Sequence, residues 1–281
     1  MVAISGCYVE YMLFERDYNI LTPEELNRFN KAKEFYSKKK DNFGGMKGHH
    51  LMKYYEMLPR SAYYYESLFP NNYLDIGLLK NANSLENIRQ QFTDLLDSDI
   101  SERDILNFIN RNEHYYIIGS LYHAGYDFGH HIAFLFKEFE LTSTYKADYL
   151  LVGKNSGGFN FIFVELENPY SNITLNDGEL GETFRKGVKQ VKNWDDWIEG
   201  NFNTLRLIFQ KYKNPRKELP KEFYELDKSR LNYIVLAGRR ANFKDKTYRI
   251  KRKTLKSSNI KLMHYDNLID SFATLIETKN Y

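Results

Sequence analysis

Three carboxylates stand at the ends of two apolar runs between Asp148 and Glu167, within KADYLLVGKNSGGFNFIFVELENP. The runs 147–153 and 159–167 are strand-like in their aromatic and β-branched content, and Asn155-Ser156-Gly157-Gly158 supplies a turn between them. Residues two apart on a strand share a face. Glu165 and Glu167 therefore point the same way, with Phe161 and Phe163 behind them and Leu166 facing the opposite layer. Pairing in the hairpin brings Asp148 beside Glu165. Unpaired charge at the end of an apolar strand is costly, and a divalent cation would account for it. Hard cations such as Mg²⁺ or Mn²⁺ take oxygen ligands and keep several waters. Asp148, Glu165 and the Leu166 backbone carbonyl can form a half-shell that a substrate phosphate oxygen completes. The chemistry implied is metal-assisted phosphodiester hydrolysis. Glu167 would stand beside the attacking water, as general base or as ligand to a second metal. The competing reading is that both glutamates end an edge strand in solvent. Apolar residues on both faces of the preceding run favour a central strand.

The surrounding pattern supplies elements to hold such a site. Thr22-Pro23-Glu24-Glu25 predicts a capped helix start, followed by Leu26, Phe29 and Phe35 on an apolar face. NFGGMKGHH (42–50) reads as a loop and lacks the GxxxxGK pattern of a phosphate-binding loop. Helices are expected over about 84–97 and from Ser101-Glu102-Arg103-Asp104 onward. Strands follow at 131–141, 147–153 and 159–167, with Asn168-Pro169 ending the third. A Gly- and Asn-rich loop (171–181) leads to helices over about 182–199 and 202–213. A strand at 231–237, a short strand near 260–264 and a helix from Asp266 complete the pattern. The fold class implied is α/β: a mixed central sheet flanked by helices, preceded by a mainly helical N-terminal region over 1–98.

Composition narrows the function classes. The chain has 281 residues, 42% hydrophobic and 27% charged, with a net charge of +3. That fits a globular protein, without a membrane span or secretion signal. Cys7 is the single cysteine, so an internal disulfide is excluded and a reducing cytoplasmic location is expected. The paired histidines His49-His50 and His130-His131, read as strand neighbours pointing apart, argue against zinc. Tyr and Phe are abundant, which fits base stacking or an AT-rich genome. Charge is uneven: between Lys228 and Lys261 there are twelve Lys or Arg and one acid, Asp245, so the remainder is net negative. This stripe, including Arg239, Arg240, Arg249, Lys251, Arg252 and Lys253, is a candidate phosphate-contacting surface or a solvated basic hairpin. Trp194 and Trp197 are expected to pack between helix and sheet rather than stack on bases.

The pattern of a capped helix, Asp148 and Glu165-x-Glu167 resembles the PD-(D/E)XK nuclease superfamily. More closely, it is similar to the nuclease domain of Shedu antiphage defence proteins. Four features carry the closer likeness: DYLLV with VELENP, KGVKQVKNWDDWI, IVLAGRR and KLMHYDNLIDSF, together covering about Ser101 to Ile276. The resemblance implies a restriction-endonuclease-like core over 99–281. It also implies Mg²⁺- or Mn²⁺-dependent nicking or cleavage of double-stranded phage or plasmid DNA, and a homo-oligomer, dimer or tetramer. Asp148 and Glu165 become the metal ligands. Glu167 occupies the position where the superfamily usually has Lys, so the positive charge must come from a second metal or from a lysine elsewhere. Lys186 and Lys189 on the following helix are candidates, and both are candidate nucleic-acid contacts. Gln190 matches a helix position flanking the active site. Glu102 is either an added ligand or a favourable charge at a helix N-terminus. The N-terminal region would then be a regulatory cap, phage sensor or oligomerisation arm. Two alternatives accompany this reading: a catalytically degenerate DNA-binding or sensor module, and an RNA-cleaving nuclease.

Overall fold

The computed structural model describes residues 12–41, 45–98 and 100–281. Cys7 and the first three residues of the 42–50 loop lie outside them. The chain divides into two compact units. The first runs to Tyr73 and takes in Tyr212–Glu218; the second comprises Leu74–Lys211 and Leu219–Tyr281.

In the first unit, α1 (Pro23–Lys39) begins as the sequence predicts. The Thr22 hydroxyl accepts from Glu25 N, and the Glu25 carboxylate accepts from Thr22 N, so both backbone donors of the first turn are satisfied. Phe29 is buried, whereas Leu26 is exposed. The end of the expected loop is helical: α2 (Gly48–Met57) includes His49 and His50, whose rings lie 3.9 Å apart. The short α3 (Ser61–Tyr65) carries Tyr64, stacked on Tyr18 at 4.0 Å. The Arg216 guanidinium lies 3.7 Å from the Tyr65 ring centroid.

The second unit is built on a five-stranded sheet in sequence order: β1 (Ile132–Glu140), β2 (Lys146–Asn155), β3 (Gly158–Leu166), β4 (Leu231–Leu236) and β5 (Ile260–Met263). The first three strands pair antiparallel and the last two add in parallel. This is the mixed sheet expected. β3 is central, with no residue exposed along its length, which removes the solvent-edge reading of Glu165.

Helices accompany the sheet: α4 (Ala82–Leu96), α5 (Glu102–Arg111), α6 (Tyr116–Gly119), α7 (Glu182–Tyr212), α8 (Asp245–Ser258) and α9 (Tyr265–Thr278). α4 belongs to this unit, so the unit boundary falls earlier in the chain than 98. α7 covers both helices expected there, with non-helical backbone at Asn201 between them. Its second half contributes Phe209 to an aromatic cluster with Phe136, Phe139 and Phe161 of the sheet, at ring distances of 5.3–5.9 Å. Tyr149, on the other face, donates to Asn110 Oδ1 of α5 at 2.9 Å. Trp194 is fully buried, as core packing requires, and Trp197 is half-buried. The basic stripe is the main departure from the sequence reading. Its centre is α8, an amphipathic helix, and no hairpin forms there.

Candidate active site

The β2–β3 register pairs Tyr149 with Val164. One step further, Asp148 falls opposite Glu165, on the face that also carries Leu150 and Phe163. The parallel register fixes the strand end. Leu166 pairs with Leu236, and Glu167 N donates to Leu236 O at 2.8 Å. In a parallel ladder this turns Leu166's own N–H and C=O the other way, toward β2. The Leu166 N–H donates to Asp148 Oδ2 at 2.7 Å. The Leu166 carbonyl is thereby turned toward the same side as Asp148, as a metal half-shell would need.

Glu167 lies just past the strand and is held at its backbone. The buried Tyr265 hydroxyl, from the first residue of α9, donates to Glu167 O at 2.9 Å. Asn168 Oδ1 accepts from Tyr170 N and Ser171 N, turning the chain away. Glu165 and Glu167 are 5% and 2% exposed. Among the described residues, Glu165 Oε2 and Glu167 Oε1 find no hydrogen-bond partner, although both are buried. Such orphaned acceptors are costly and mark a place for a cation or a donor.

α7 crosses directly over this end. A Cβ on Gly187 would lie 2.6 Å from Val235 Cγ1 and 3.1 Å from Glu167 Cγ. Only glycine admits the helix so close. The preceding residue, Lys186, then lies beside the carboxylates, its Nζ donating to Glu167 Oε2 at 3.0 Å. Lys186 stands out in the sequence as a candidate, whereas Gly187 does not; its signal is a glycine at a strand-facing helix position in KGVKQ. Glu102 sits in the first turn of α5, behind the Ser101–Asp104 capping box, and is half-buried within electrostatic reach of the other carboxylates.

The electrostatics are lopsided. Burial pushes the Asp148 carboxyl up, partly offset by the Leu166 N–H, with Glu102 and Glu167 adding repulsion. Burial also raises Glu165, reinforced by Asp148 and Glu167. Burial raises Glu167 too, while the Lys186 ammonium works against the shift. Glu102 is raised by burial. Burial opposes the charge on Lys186, yet its bond to Glu167 and the fields of Glu102 and Glu165 leave its pKa raised. Among the described residues, Glu167, Glu102 and Glu165 share the Lys186 ammonium, and no three His, Cys, Asp or Glu side chains converge as a ready-made metal cage. The donor set is instead an open half-shell of carboxylates and a carbonyl. Such a set suits Mg²⁺ or Mn²⁺ better than zinc, because these ions retain waters and accept phosphate oxygens.

Beside this cluster lies an open cleft of about 550 Å³. One face of α7 forms a wall with Glu182, Arg185, Lys186, Lys189, Gln190 and Asn193, a helical i, i+3, i+4 series. The β1–β2 turn, 144–146, forms the other wall and adds Lys146. The structure therefore brings Lys186, Lys189 and Gln190 to one cleft and adds Arg185 and Lys146. The stripe residues divide. Arg249, Arg252 and Lys253 belong to α8; Arg252 and Lys253 are exposed on it, whereas Lys251 is half-buried. Arg239 is tied internally to Asp266, Asp97 and the Leu96 carbonyl, and Arg240 pairs with Asp270. Arg239 is thus engaged within the fold, whereas the Arg240–Asp270 pair is exposed. The two histidine pairs lie outside the strands; His130 and His131 rings are 4.5 Å apart, so they do not point apart as expected.

The fold and site define an α/β protein with buried carboxylates at the ends of central strands, opening onto a basic cleft. The family described as Shedu protein SduA, C-terminal, matches residues 99–269. The chain belongs to that family, and the match spans β1 to β5, the carboxylate cluster and the cleft. No curated protein matches the chain. Among the described residues no helix is long and apolar enough to cross a membrane.

Proposed function

We propose that this protein is a metal-dependent endonuclease that nicks or cuts double-stranded DNA in antiphage defence. The observation that carries this reading is the cluster of four carboxylates with orphaned buried oxygens at Glu165 and Glu167, set beside a basic cleft. Membership of the Shedu family supports the defence role. The likeness of the Asp148 and Glu165-x-Glu167 pattern to PD-(D/E)XK nucleases supports the chemistry.

Asp148, Glu165 and the Leu166 carbonyl would hold Mg²⁺ or Mn²⁺. A bound divalent cation would supply Lewis acidity toward the phosphodiester and acidify a water. Asp148 is oriented for this by the Leu166 N–H, which engages one of its oxygens. Glu167 would take a proton from the attacking water or bind a second metal. Lys186 would bring the positive charge that the superfamily usually places at the Glu167 position, answering the charge that develops on the phosphate. Arg185, Lys189 and Lys146 would hold the DNA backbone without reading sequence. A dimer or tetramer would let two such sites act on one duplex.

The test is Mg²⁺-dependent nicking of supercoiled plasmid by wild type, Asp148→Asn and Glu165→Gln. Equal activity in all three would overturn the reading. A second reading, a nuclease-fold DNA-binding module without catalysis, draws on Glu167 standing in the lysine position. Calorimetric titration with Mn²⁺ separates the two, because such a module would bind DNA but no metal. RNA offered beside DNA in the same assay decides the substrate.

A further inference from the structure

A second pocket lies on the opposite face of the sheet from the carboxylates. It has a volume of about 390 Å³ and is bounded by β5, α8, α9 and the turn at Ala124. Two lysines enter it, Lys261 from β5 and Lys251 from α8. Lys261 Nζ donates to the Ala124 carbonyl and lies 4.1 Å from the Tyr126 ring centroid. Lys251 has no hydrogen-bond or ion-pair partner among the described residues, although it is half-buried. Asp270, the carboxylate in the lining, is paired with Arg240. Asn267, Ser271 and Thr274 of α9 line the pocket with polar groups, and among the described residues the buried Asn267 Oδ1 atom has no partner.

We propose that this pocket binds a small phosphate-bearing anion, held between the Lys251 and Lys261 ammonium groups with the Ser271 hydroxyl and the Asn267 amide N–H of α9 as further donors. Two half-buried like charges without a carboxylate between them repel one another. Burial and the neighbouring Lys251 charge push the Lys261 ammonium down to about 8. Burial also lowers Lys251. An anion relieves both costs, since each charge gains a partner in a partly desolvated site. The volume falls in the range of small-ligand sites. The pocket is independent of the carboxylate cluster and of any chemistry there.

Amine acylation read by peptide mass spectrometry tests this on the full chain near pH 8. Burial lowers both lysines, which raises their reactivity toward the acylating reagent. Pyrophosphate, ATP and a short DNA duplex are compared against NaCl of equal ionic strength. With pyrophosphate or ATP at about ten times its Kd, occupancy lowers labelling of Lys251 and Lys261 about 10-fold relative to exposed Lys253 and Lys256. Protection by ATP but not pyrophosphate assigns the pocket to a nucleotide; protection by both assigns it to the phosphate group. Protection by the duplex alone, spread equally over Lys253 and Lys256, overturns the proposal in favour of an extended DNA surface. Unchanged labelling in every arm overturns it outright. Thermal shift with pyrophosphate gives the second readout: Lys251→Ser and Lys261→Met each abolish the wild-type rise. An equal rise in both variants sinks the idea.

Discussion

At the ends of the neighbouring strands β3 and β4, the molecule treats buried charge in opposite ways. After β4, the Arg239 guanidinium is matched by Asp266 and Asp97 and by the Leu96 carbonyl. Its pKa is raised by Asp266 first, and by Asp97 and the Tyr170 hydroxyl. At the end of β3, Glu165 and Glu167 have buried oxygens with no donor among the described residues, and Lys186 answers Glu167, Glu102 and Glu165 together. A balanced node closes the fold. An unbalanced one is the arrangement that a site for an outside cation would leave. The same contrast separates the two arginines expected to touch DNA from the lysines of the α7 cleft. Basic residues at the strand end are held by distant acids, and the open helix face carries its lysines toward the cleft.

The largest expected effect sharpens this contrast at the unbalanced node. Asp148→Asn keeps the shape but removes a ligand charge, and plasmid nicking should fall at least about 100-fold. Folding, read by circular dichroism, should be unchanged. Retained nicking would place the chemistry elsewhere. Next comes Lys186→Ala, which removes the ammonium that answers the cluster. Nicking should drop about 100-fold, as for removal of one donor aimed at the developing charge. The Mn²⁺ affinity should rise rather than fall, because a competing positive charge is gone. Lys186→Arg should recover part of the rate. A variant with lower Mn²⁺ affinity would show that the ammonium positions Glu167 rather than supplying charge to the phosphate.

Much of this node is legible in the sequence because strands have a period of two. That period alone puts Glu165 and Glu167 on one face with Phe161 and Phe163, and hairpin pairing brings Asp148 to them. Strand placement, the caps at Thr22 and Ser101 and the helices of the α7 region are equally local. What stays hidden is long-range. Asp97 and Asp266 neutralise Arg239 from 142 and 27 positions away, and no local pattern announces such pairs. Gly187 reads as an ordinary helix glycine until Val235 is seen 2.6 Å from its would-be Cβ. The dense charge of α8 masks a helix. Glu138 is the subtlest case. It has a positive φ of 47° inside β1, opposite Asp148 in register. The break in pleat lets Phe136 and Phe139 both reach Phe209. Strict alternation along 132–140 would have put them on opposite faces.

Stability measurements break or support the comparison without any activity assay. Arg239→Ala strands Asp266 and Asp97 and should cost about 1–3 kcal/mol, read as a lower midpoint in urea. Glu165→Gln should do the reverse in metal-free protein. The folded state raises the Glu165 pKa, so the native protein holds a proton that the unfolded chain releases. Stability then falls as pH rises above the unfolded value. The gain from Gln should be near zero at about pH 4 and grow through about pH 8, by up to about 1.4 kcal/mol per pH unit. Mn²⁺ should stabilise wild type and leave Glu165→Gln little changed. A destabilised Glu165→Gln at about pH 8 would mean that the cluster is balanced after all.

The smallest effect concerns α8, where basic residues tied to acids contrast with basic residues turned to solvent. Lys246 is bonded to Asp177 and Glu179 and helps pin the loop before α7. Arg252 and Lys253 are exposed, and Arg249 and Lys253 lie one turn apart on the same face. If that face tracks the DNA backbone, Arg249→Gln with Lys253→Gln should weaken duplex binding uniformly across sequences. The slope of log affinity against log salt should fall by about 2, one for each phosphate no longer neutralised. If the cleft holds DNA next to the carboxylates, Arg185→Gln on its wall should lower the slope by about 1 and also slow nicking. An unchanged slope in the α8 pair, with the Arg185 effect intact, would confine the DNA path to the cleft and leave α8 as a solvated basic helix.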